Sequence, residues 1–593
     1  MKSLARLNTY FLRYKYHLVF GTVFVILANI FSILPGRVIR YALDYVIHST
    51  ELYFVLQTPS FRSSFYNEVV IALVWLGIIL LVLALLKGVF MYFMRQTIIV
   101  MSRRIEYDLK GDIYYHYQTL PLSFYRKNNT GDLMARISED VSRVRMYVGP
   151  AIMYSINLFF TCILTISYMF YIDPKLALFS LIPLPILSVS VYIVNGLINK
   201  RSEEIQQSLS RLSTFVQESF SGIRVLKSFV REDQFSDLFS KENDTYKQKS
   251  LRLNFVESLF SPAILVLVGL STIVVVYVGG IEVMRGTITP GVIAEFIIYI
   301  NLLTWPIVSL GSVISMIQRA AASQKRINEF LDIQTDIVSR EHFKKTIDGS
   351  IVFDKVSLVY PESGIKALND ISFSIKAGEV VAIVGPTGSG KSTLANLICR
   401  LYDATSGAIY IDGIDNRSYD VASLREQIGY VPQDVFLFSD TIRHTISFGF
   451  PEATEDAIIQ AAKDADVYDT ILGFSHGLDT VIGERGITLS GGQKQRISIA
   501  RAIIRKPRLL ILDDCLSAVD TKTESVILHN LKKIMYDRTS LIISHRISSV
   551  KLANRILVMR EGMIVEDGSH EDLLQLNGFY KELYEKQLRV EDL

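Results

Sequence analysis

The 593-residue chain has few cysteines and almost no net charge. Its three cysteines, Cys162, Cys399 and Cys515, form no C-x-x-C pair, so we expect small buried side chains rather than a disulfide scaffold or a cysteine-based metal site. The 62 basic and 59 acidic residues leave a formal charge of +3, which is no signature of a nucleic-acid-binding protein. Hydrophobic residues make up 50% of the chain, charged residues make up 20%, and the mean hydropathy is +0.30. These values predict a chain that is part membrane domain and part soluble domain.

Charged residues are also missing almost throughout six long stretches before residue 320. Lys87 interrupts the second stretch, and Glu295 interrupts the sixth. Each stretch reaches the roughly 20 residues that a helix needs to cross about 30 Å of hydrocarbon. The sequence therefore predicts an all-α membrane domain of six transmembrane helices, at residues 16–36, 69–94, 146–172, 176–199, 258–281 and 286–318.

The orientation of these helices follows from the charges of the segments between them. Lys and Arg are frequent between the second and third stretches and between the fourth and fifth, whereas the opposite side carries fewer, among them Arg62, Lys175 and Arg285. The positive-inside rule then predicts that both long segments, the N-terminus and everything after residue 320 are cytoplasmic. We expect a multi-pass protein of the bacterial inner (cytoplasmic) membrane without a cleavable signal peptide.

The residues before the first stretch show helical periodicity. Leu4, Leu7, Phe11 and Tyr14 recur at helical spacing beside basic residues. This pattern predicts a basic helix that lies on the inner membrane surface and precedes the first span.

The chain divides into a membrane part and a soluble part. Residues 1–330 are the predicted transmembrane domain, residues 331–349 are polar and predict a linker, and residues 350–593 alternate short β runs with helices. The last pattern predicts an α/β domain.

A glycine-rich loop follows the first fully apolar β run of this α/β domain. The run 380–384 leads into the sequence Gly385, Pro386, Thr387, Gly388, Ser389, Gly390, Lys391, Ser392, Thr393. It matches G-x-x-x-x-G-K-[ST] between a strand and a helix, where backbone N–H groups cradle phosphates. Lys391 is the candidate for the β/γ-phosphates, and the Ser392 hydroxyl is the candidate Mg²⁺ ligand.

A second apolar run, 509–512, ends in two carboxylates. Asp513 lies where a Mg²⁺ ligand belongs, at the end of a buried strand next to a phosphate loop. Asp514 then lies where a catalytic carboxylate would orient the attacking water. The alternative for Asp514 is a helix-capping or solvated acid.

Between these two runs stands Leu489-Ser490-Gly491-Gly492-Gln493. Because it contains both this motif and the phosphate loop, the chain resembles an ATP-binding cassette (ABC) exporter half-transporter. Such a protein has a six-helix membrane domain fused to a P-loop ATPase domain. The resemblance implies ATP and Mg²⁺ as cofactors. It implies these roles: Tyr360 stacks on adenine, Gln433 senses Mg²⁺ and acts in catalysis, His545 contacts the γ-phosphate, Ser490, Gly491, Gly492 and Gln493 bind nucleotide, and Asp520 lies in the D-loop.

The resemblance further implies a second half-transporter as partner, because each ATP is clamped between the phosphate loop of one subunit and the signature of the other. Residues 131–134 and 221–225 match the cytoplasmic loops that dock on the ATPase domain in such exporters, and residues 483–486 match the exporter X-loop. The implied function is ATP-driven export of amphipathic drugs or lipids. The alternative is a non-transporting ABC protein that acts as a gated channel or as a regulator.

Asp514 departs from the pattern of most ABC exporters, which carry Glu at this position. The sequence around it resembles bacterial multidrug-resistance-like half-transporters that pair with a distinct partner, and this favours a heterodimer in which this chain carries a slow ATP site. A homodimer that tolerates Asp remains the competing interpretation. In the membrane domain, Glu295 is a candidate for a cation-attracting or proton-linked group, with a helix-pairing carboxylate as the alternative.

Overall fold

The computed structural model describes residues 2–55, 58–483, 486, 488–516 and 521–591. The chain forms two compact units. The first comprises Met1–Gln118 and Gly131–Ile333, and the second comprises Thr119–Thr130 and Gln334–Leu593. The short segment 119–130 thus groups with the second unit, although it lies far upstream in the sequence.

The first unit consists of helices long and apolar enough to cross a membrane six times. Several continue well beyond the apolar stretches, and the longest has 61 residues, about 90 Å of helix. The predicted all-α membrane domain of six spans is confirmed. The six spanning segments are Lys15–Val55, Pro59–Thr119, Thr130–Ile172, Pro174–Ser221, Glu232–Met284 and Pro290–Leu331.

Two of the spanning segments are interrupted. The third consists of the helices Thr130–Ala135, Val141–Met146 and Ile152–Ile172, joined by the π-helical turns Arg136–Asp140 and Tyr147–Ala151. The fourth divides into Pro174–Leu181 and Pro183–Ser221, and the short helix Ile223–Ser228 follows it. Asp173 caps the N-terminus of the helix Pro174–Leu181, since its carboxylate accepts a hydrogen bond of 2.6 Å from the Leu176 amide.

The N-terminal segment is helical, but its apolar side faces protein. It comprises a 3₁₀ turn, Lys2–Leu7, and the helix Asn8–Arg13. Leu4 and Leu7 are buried, and the Ser3 hydroxyl donates to the Ala321 carbonyl of the sixth span over 3.0 Å. The first half of the segment therefore packs on the sixth span, and its position on the inner membrane surface stays a prediction. The sequence pattern identified an apolar side but not the surface that covers it.

The second unit is built on two sheets. Strands β3, β6, β7, β8, β9 and β10 form a six-stranded sheet in the order β10-β9-β3-β8-β7-β6, parallel except for β10, and β2-β1-β4-β5 form an antiparallel sheet. The bounds are β1 Ile351–Val359, β2 Lys366–Ile375, β3 Val380–Val384, β4 Ser406–Ile411, β5 Ile414–Asp415, β6 Ile428–Val431, β7 Leu509–Asp513, β8 Thr539–Ile543, β9 Arg555–Arg560 and β10 Met563–Gly568.

Helices pack on this framework and enclose two apolar cores. Cys399 is buried in one core and Cys515 in the other, and burial raises the pKa of each thiol to about 12, so both are neutral hydrophobes as expected. The predicted α/β ATPase fold is confirmed. Its helical segments are Leu122–Lys127, Lys391–Ile398, Val421–Glu426, Ile442–Ser447, Glu455–Asp464, Tyr468–Leu472, Gly477–Asp479, Gly491–Ile503, Thr521–Met535, Ile547–Val550, His570–Gln575 and Phe579–Glu591.

The helix Leu122–Lys127 is the upstream segment that groups with the second unit. Leu122 packs against one apolar core of that unit, and Phe124 is buried. The sequence-based expectation of docking fell on residues 131–134, which belong to the first unit. Docking of residues 131–134 on the ATPase domain stays a prediction.

Candidate nucleotide-binding site

The phosphate loop joins β3 to the helix Lys391–Ile398. Gly390 caps this helix with a φ of +99°, in the left-handed region that glycine adopts most easily. A Cβ atom at this position would lie 2.6 Å from the Ala367 carbonyl oxygen, so both the conformation and the space require glycine. The loop thus turns sharply enough to present backbone N–H groups at the start of a helix.

Lys391 is buried and points back into the loop. Its Nζ donates hydrogen bonds of 2.9 Å to the carbonyl oxygens of Gly385 and Pro386. Burial lowers the pKa of Lys391, and the negative charges of Asp513 and Asp514 oppose that shift. The ammonium group is therefore held inside the loop by carbonyl oxygens. A bound phosphate would supply the negative charge that stabilises the ammonium there.

Ser392 and Asp513 bring two oxygen ligands together. The Ser392 hydroxyl donates to Asp513 Oδ1 over 3.1 Å. Burial raises the pKa of Asp513 to about 6, and the bond from Ser392 opposes the shift. A hydroxyl and a carboxylate beside a phosphate loop are the oxygen ligands that Mg²⁺ accepts, so these residues fit the ion.

Asp514 follows β7 with a φ of +47°, a left-handed conformation that Asp tolerates better than most residues. Its amide donates to the Ile543 carbonyl over 2.7 Å, and the Gln433 side chain donates to its Oδ2 over 3.4 Å. His545 lies just beyond β8, and burial lowers the pKa of its imidazole. The imidazole is therefore neutral near pH 7.

These groups surround one cavity of about 500 Å³. Of the predicted site residues, those that line it are Tyr360, Thr387, Gly388, Gly390, Lys391, Ser392, Thr393, Gln433, Asp513, Asp514 and His545. Gly385, Pro386 and Ser389 belong to the same loop without lining the cavity. The Ser389 hydroxyl is buried and has no hydrogen-bond partner among the residues described.

Arg126 also lines this cavity and was not predicted as a site residue. Its guanidinium lies 5.7 Å from the ring centroid of Tyr360 and 5.8 Å from that of Tyr402. Arg126 Nη1 is 3.7 Å from Glu362 Oε1, which also accepts a 2.8 Å bond from the Tyr402 hydroxyl. The sequence offered one indication of Arg126, namely the prediction that a loop from this region docks on the ATPase domain.

The signature residues lie elsewhere in the second unit. Ser490 caps the helix Gly491–Ile503 through a capping box: the Gln493 amide donates to Ser490 Oγ over 3.3 Å, and the Ser490 amide donates to Gln493 Oε1 over 2.8 Å. Ser490, Gly491, Gly492 and Gln493 do not line the described cavity. Asp520 and residues 484 and 485 of the expected X-loop lie outside the described residues.

A nucleotide site of this kind and six membrane spans in one chain define an ABC exporter. Residues 18–307 match the model of the ABC transporter transmembrane region, and residues 368–517 match the ABC transporter model. The chain is 38% identical over 517 residues to an uncharacterized ABC transporter ATP-binding protein of Bacillus subtilis, a match that covers 87% of this chain and 88% of the relative. The chain therefore belongs to the ABC transporter family. It is a multi-pass membrane protein whose ATPase domain couples ATP hydrolysis to transport.

Two other relatives cover most of the chain. An ATP-dependent lipid A-core flippase of Syntrophus aciditrophicus is 36% identical over 536 residues, 90% of this chain and 89% of the relative. A Staphylococcus aureus protein named for multidrug export is 36% identical over 580 residues, 97% and 98% of the two chains. The solved structure of a bacterial Atm1-family ABC exporter with ATP bound matches with a TM-score of 0.76 at 25% identity, over 95% of this chain and 98% of that one.

Proposed function

We propose that this protein exports amphipathic compounds, drugs or lipids, across the cytoplasmic membrane by alternating access, as a dimer of half-transporters. The observation that carries the proposal is the combination, in one chain, of the nucleotide cavity and six apolar spans. Relatives named as a lipid A-core flippase and a multidrug export protein support this substrate range. ATP binding favours one state of the dimer, and hydrolysis resets it.

In the proposed site, each residue has a defined task. Tyr360 stacks on adenine, the loop 385–393 and Lys391 bind the phosphates, and His545 contacts the γ-phosphate. Ser392, Asp513 and Gln433 would hold Mg²⁺, which when bound neutralises phosphate charge. In hydrolysis the water oxygen bonds to the γ-phosphorus, the bond to the bridging oxygen breaks and ADP leaves. Asp514 orients the water.

The dimer follows from the position of the signature. The capped N-terminus of the helix Gly491–Ile503 is a second anion-binding end, since its free N–H groups and dipole favour negative charge. Ser490, Gly491, Gly492 and Gln493 do not line the described cavity of their own chain. We infer that they complete the site of the partner subunit, and that Asp520 lies near the same interface.

The heterodimer proposal depends on Asp514. Asp is one methylene shorter than Glu, and a misplacement of about 1 Å in a catalytic group can cost about 100-fold in rate. The Gln433 side chain lies 3.4 Å from its Oδ2, so the carboxylate does face the cavity. We therefore infer a slow site in this chain and a partner that carries Glu. A homodimer remains the second candidate.

The test is transport by purified protein, with any partner that co-purifies. Reconstituted inside-out vesicles are given ATP and a fluorescent amphiphile, and accumulation and ATPase activity are measured together. Coupled accumulation with substrate-stimulated ATPase activity supports an exporter. A gated channel or a regulator shows neither, and that result contradicts the proposal.

A further inference from the structure

Two cations lie on one side of the second membrane span. Lys87 and Arg95 are eight residues apart, a spacing that returns to the same side of a helix. Both line a cavity of about 350 Å³ in the first unit. Lys87 directly follows the charge-free part of this helix, an 18-residue run with a mean hydropathy of 3.3, and a charge next to such a run is costly unless polar groups or water surround it.

Among the described residues that line this cavity, none is acidic. In the described part of the chain, no carboxylate forms an ion pair with Lys87 or Arg95, whereas Glu295, another ionisable residue in a span, is paired with Arg40. Lys87 is half-buried and Arg95 is exposed, so neither charge is deeply buried. The cavity therefore carries an excess of positive charge that the membrane domain does not neutralise.

The polar wall of the cavity also offers donors. The Thr161 hydroxyl donates to Asn29 Oδ1 over 2.5 Å, and the Asn29 amide nitrogen donates to Asn157 Oδ1 over 3.0 Å and to the Val25 carbonyl over 2.9 Å. Thr161 thereby fixes the orientation of the Asn29 amide, which in turn occupies the Asn157 oxygen. The N–H groups of the Asn157 amide are then available to an acceptor on a ligand.

The remaining wall is apolar and polarizable. Methionine side chains adapt to irregular ligands, and an indole ring offers a large flat surface. The cavity thus combines cations and N–H donors with a surface for hydrocarbon. The apolar residues that line it are Met91, Met94, Met153, Leu302 and Trp305.

We propose that this cavity binds the acidic head of an amphipathic anion, a phosphate, sulfate or carboxylate, with its hydrocarbon part against the methionines and Trp305. The inference rests on the proposed export function and specifies its substrate class. Cationic amphiphiles, which a permissive apolar cavity would also accept, are disfavoured by Lys87 and Arg95 because like charges repel. The same chemistry could reach the cavity as an anionic membrane lipid or as a soluble amphiphile.

The experiment uses the full transporter, with any partner that co-purifies, in neutral phosphatidylcholine vesicles. Three fluorescent lipids with the same tail are compared: phosphatidylglycerol, phosphatidylcholine and a trimethylammonium lipid. A soluble alkyl sulfonate dye is the fourth probe. We expect the anionic probes to half-saturate transport at a concentration at least tenfold lower than the cationic lipid. If only phosphatidylglycerol or only the dye is transported, the result supports the site and identifies whether its ligand is a membrane lipid or a soluble amphiphile.

Variants then test the two charges. Lys87→Met keeps the length of the side chain but removes its charge, and it should raise the half-saturating concentration of the anionic probes about tenfold. Lys87→Arg keeps the charge and should have the half-saturating concentration of the wild type. Lys87→Glu should shift the preference towards the cationic lipid. Arg37→Gln removes a cation of the first span that does not line the cavity, and it should change nothing.

Two results separate the proposals. If no probe is transported in an ATP-dependent way, the export function itself fails. If transport occurs but the wild type treats anionic and cationic probes alike, or Lys87→Met keeps the preference for anions, only the anion site is overturned. A variant that folds, as judged by Tm, can still fail to hydrolyse ATP. For such variants, binding of the probes is measured directly in the absence of nucleotide.

Discussion

The nucleotide cavity and the membrane cavity differ in how their polar residues come together. The nucleotide cavity takes most of its polar groups from one phosphate loop and from the ends of neighbouring strands. Short sequence motifs therefore predict it. The membrane cavity takes Asn29, Lys87 and Asn157 from three spans, and no motif contains any two of them. Phosphate binding requires a local sequence pattern, whereas the membrane cavity depends on which helix faces meet in the fold.

The largest effect is expected in the first cavity, at Lys391. The Lys391→Ala variant removes the ammonium that the loop carbonyls hold at 2.9 Å, so ATP affinity at this site should fall at least tenfold and transport should be impaired. Titration with a fluorescent ATP analogue measures the affinity. His545→Ala should instead spare binding and slow turnover at any competent site.

The control variant is Lys376→Ala, which removes an exposed lysine of the same domain. Its affinity and activity should match the wild type. Unchanged nucleotide affinity in Lys391→Ala would show that the motif does not act as a phosphate loop in this protein.

Asp514 tests whether the nucleotide cavity is a working or a slow site. In a heterodimer, Asp514→Ala should lower total ATPase activity less than about threefold, because the partner performs most turnover, and Asp514→Glu should raise it. Asp537→Ala is the matched control, since Asp537 is exposed and has a φ of +59°. A loss of about 100-fold in Asp514→Ala, the effect of removing a positioned catalytic group, contradicts the slow site.

The raised pKa of Asp513 predicts a pH dependence of Mg²⁺ binding. The pKa lies near 6 in the nucleotide-free site, so the carboxylate takes up a proton as pH falls through 6 and must lose it to bind the ion. The affinity for Mg·ATP should therefore fall by up to about tenfold per pH unit below 6 and be constant above 7.

Nucleotide titrations between pH 5 and 8, with Mg²⁺ and with EDTA, measure this dependence. The difference between the two series isolates the contribution of the ion from the protonation of ATP itself. An equal pH dependence in both series, or an unchanged dependence in Asp513→Asn, contradicts the assignment.

A smaller effect is expected at Arg126. Its guanidinium lies over the rings of Tyr360 and Tyr402, and an exposed cation–π contact contributes about 0.5–1 kcal/mol. Arg126→Ala should therefore weaken ATP binding about two- to fivefold, with Arg126→Lys between it and the wild type. Lys127→Ala, the exposed neighbour, serves as the control. Equal affinities of Arg126→Ala and the wild type would leave Arg126 without a role in nucleotide binding.

The smallest effect is expected in the membrane domain, at Glu295. This carboxylate is fully buried, 3.4 Å from Arg40 Nη1 of the first span, and accepts a 2.7 Å hydrogen bond from the Tyr299 hydroxyl. These contacts favour the helix-pairing interpretation over a proton-linked one. Glu295→Gln should cost at most about 1 kcal/mol, seen as a small decrease in Tm, and leave transport unaltered across pH. A changed pH profile of transport points to proton linkage instead.

The sequence by itself determined the architecture. Six charge-free stretches of about 20 residues predict membrane spans, and the G-x-x-x-x-G-K-S loop between an apolar strand and a helix leaves few alternatives for the ATPase domain. The sequence also predicts that Lys391, Ser392, Asp513 and Asp514 lie together, because a parallel sheet brings strand ends to one edge, and all four line one cavity. Local patterns were sufficient for these features.

Only the tertiary structure decided which distant side chains meet. The contact of Arg126 with Tyr360, the burial of Leu4 and Leu7 on the sixth span, and the pairing of Glu295 with Arg40 all join segments far apart in sequence. The same holds for the cavity that contains Lys87, Asn29 and Asn157. Helix periodicity indicates which residues share a face, but the free energy of packing determines which faces touch, and that depends on the whole chain.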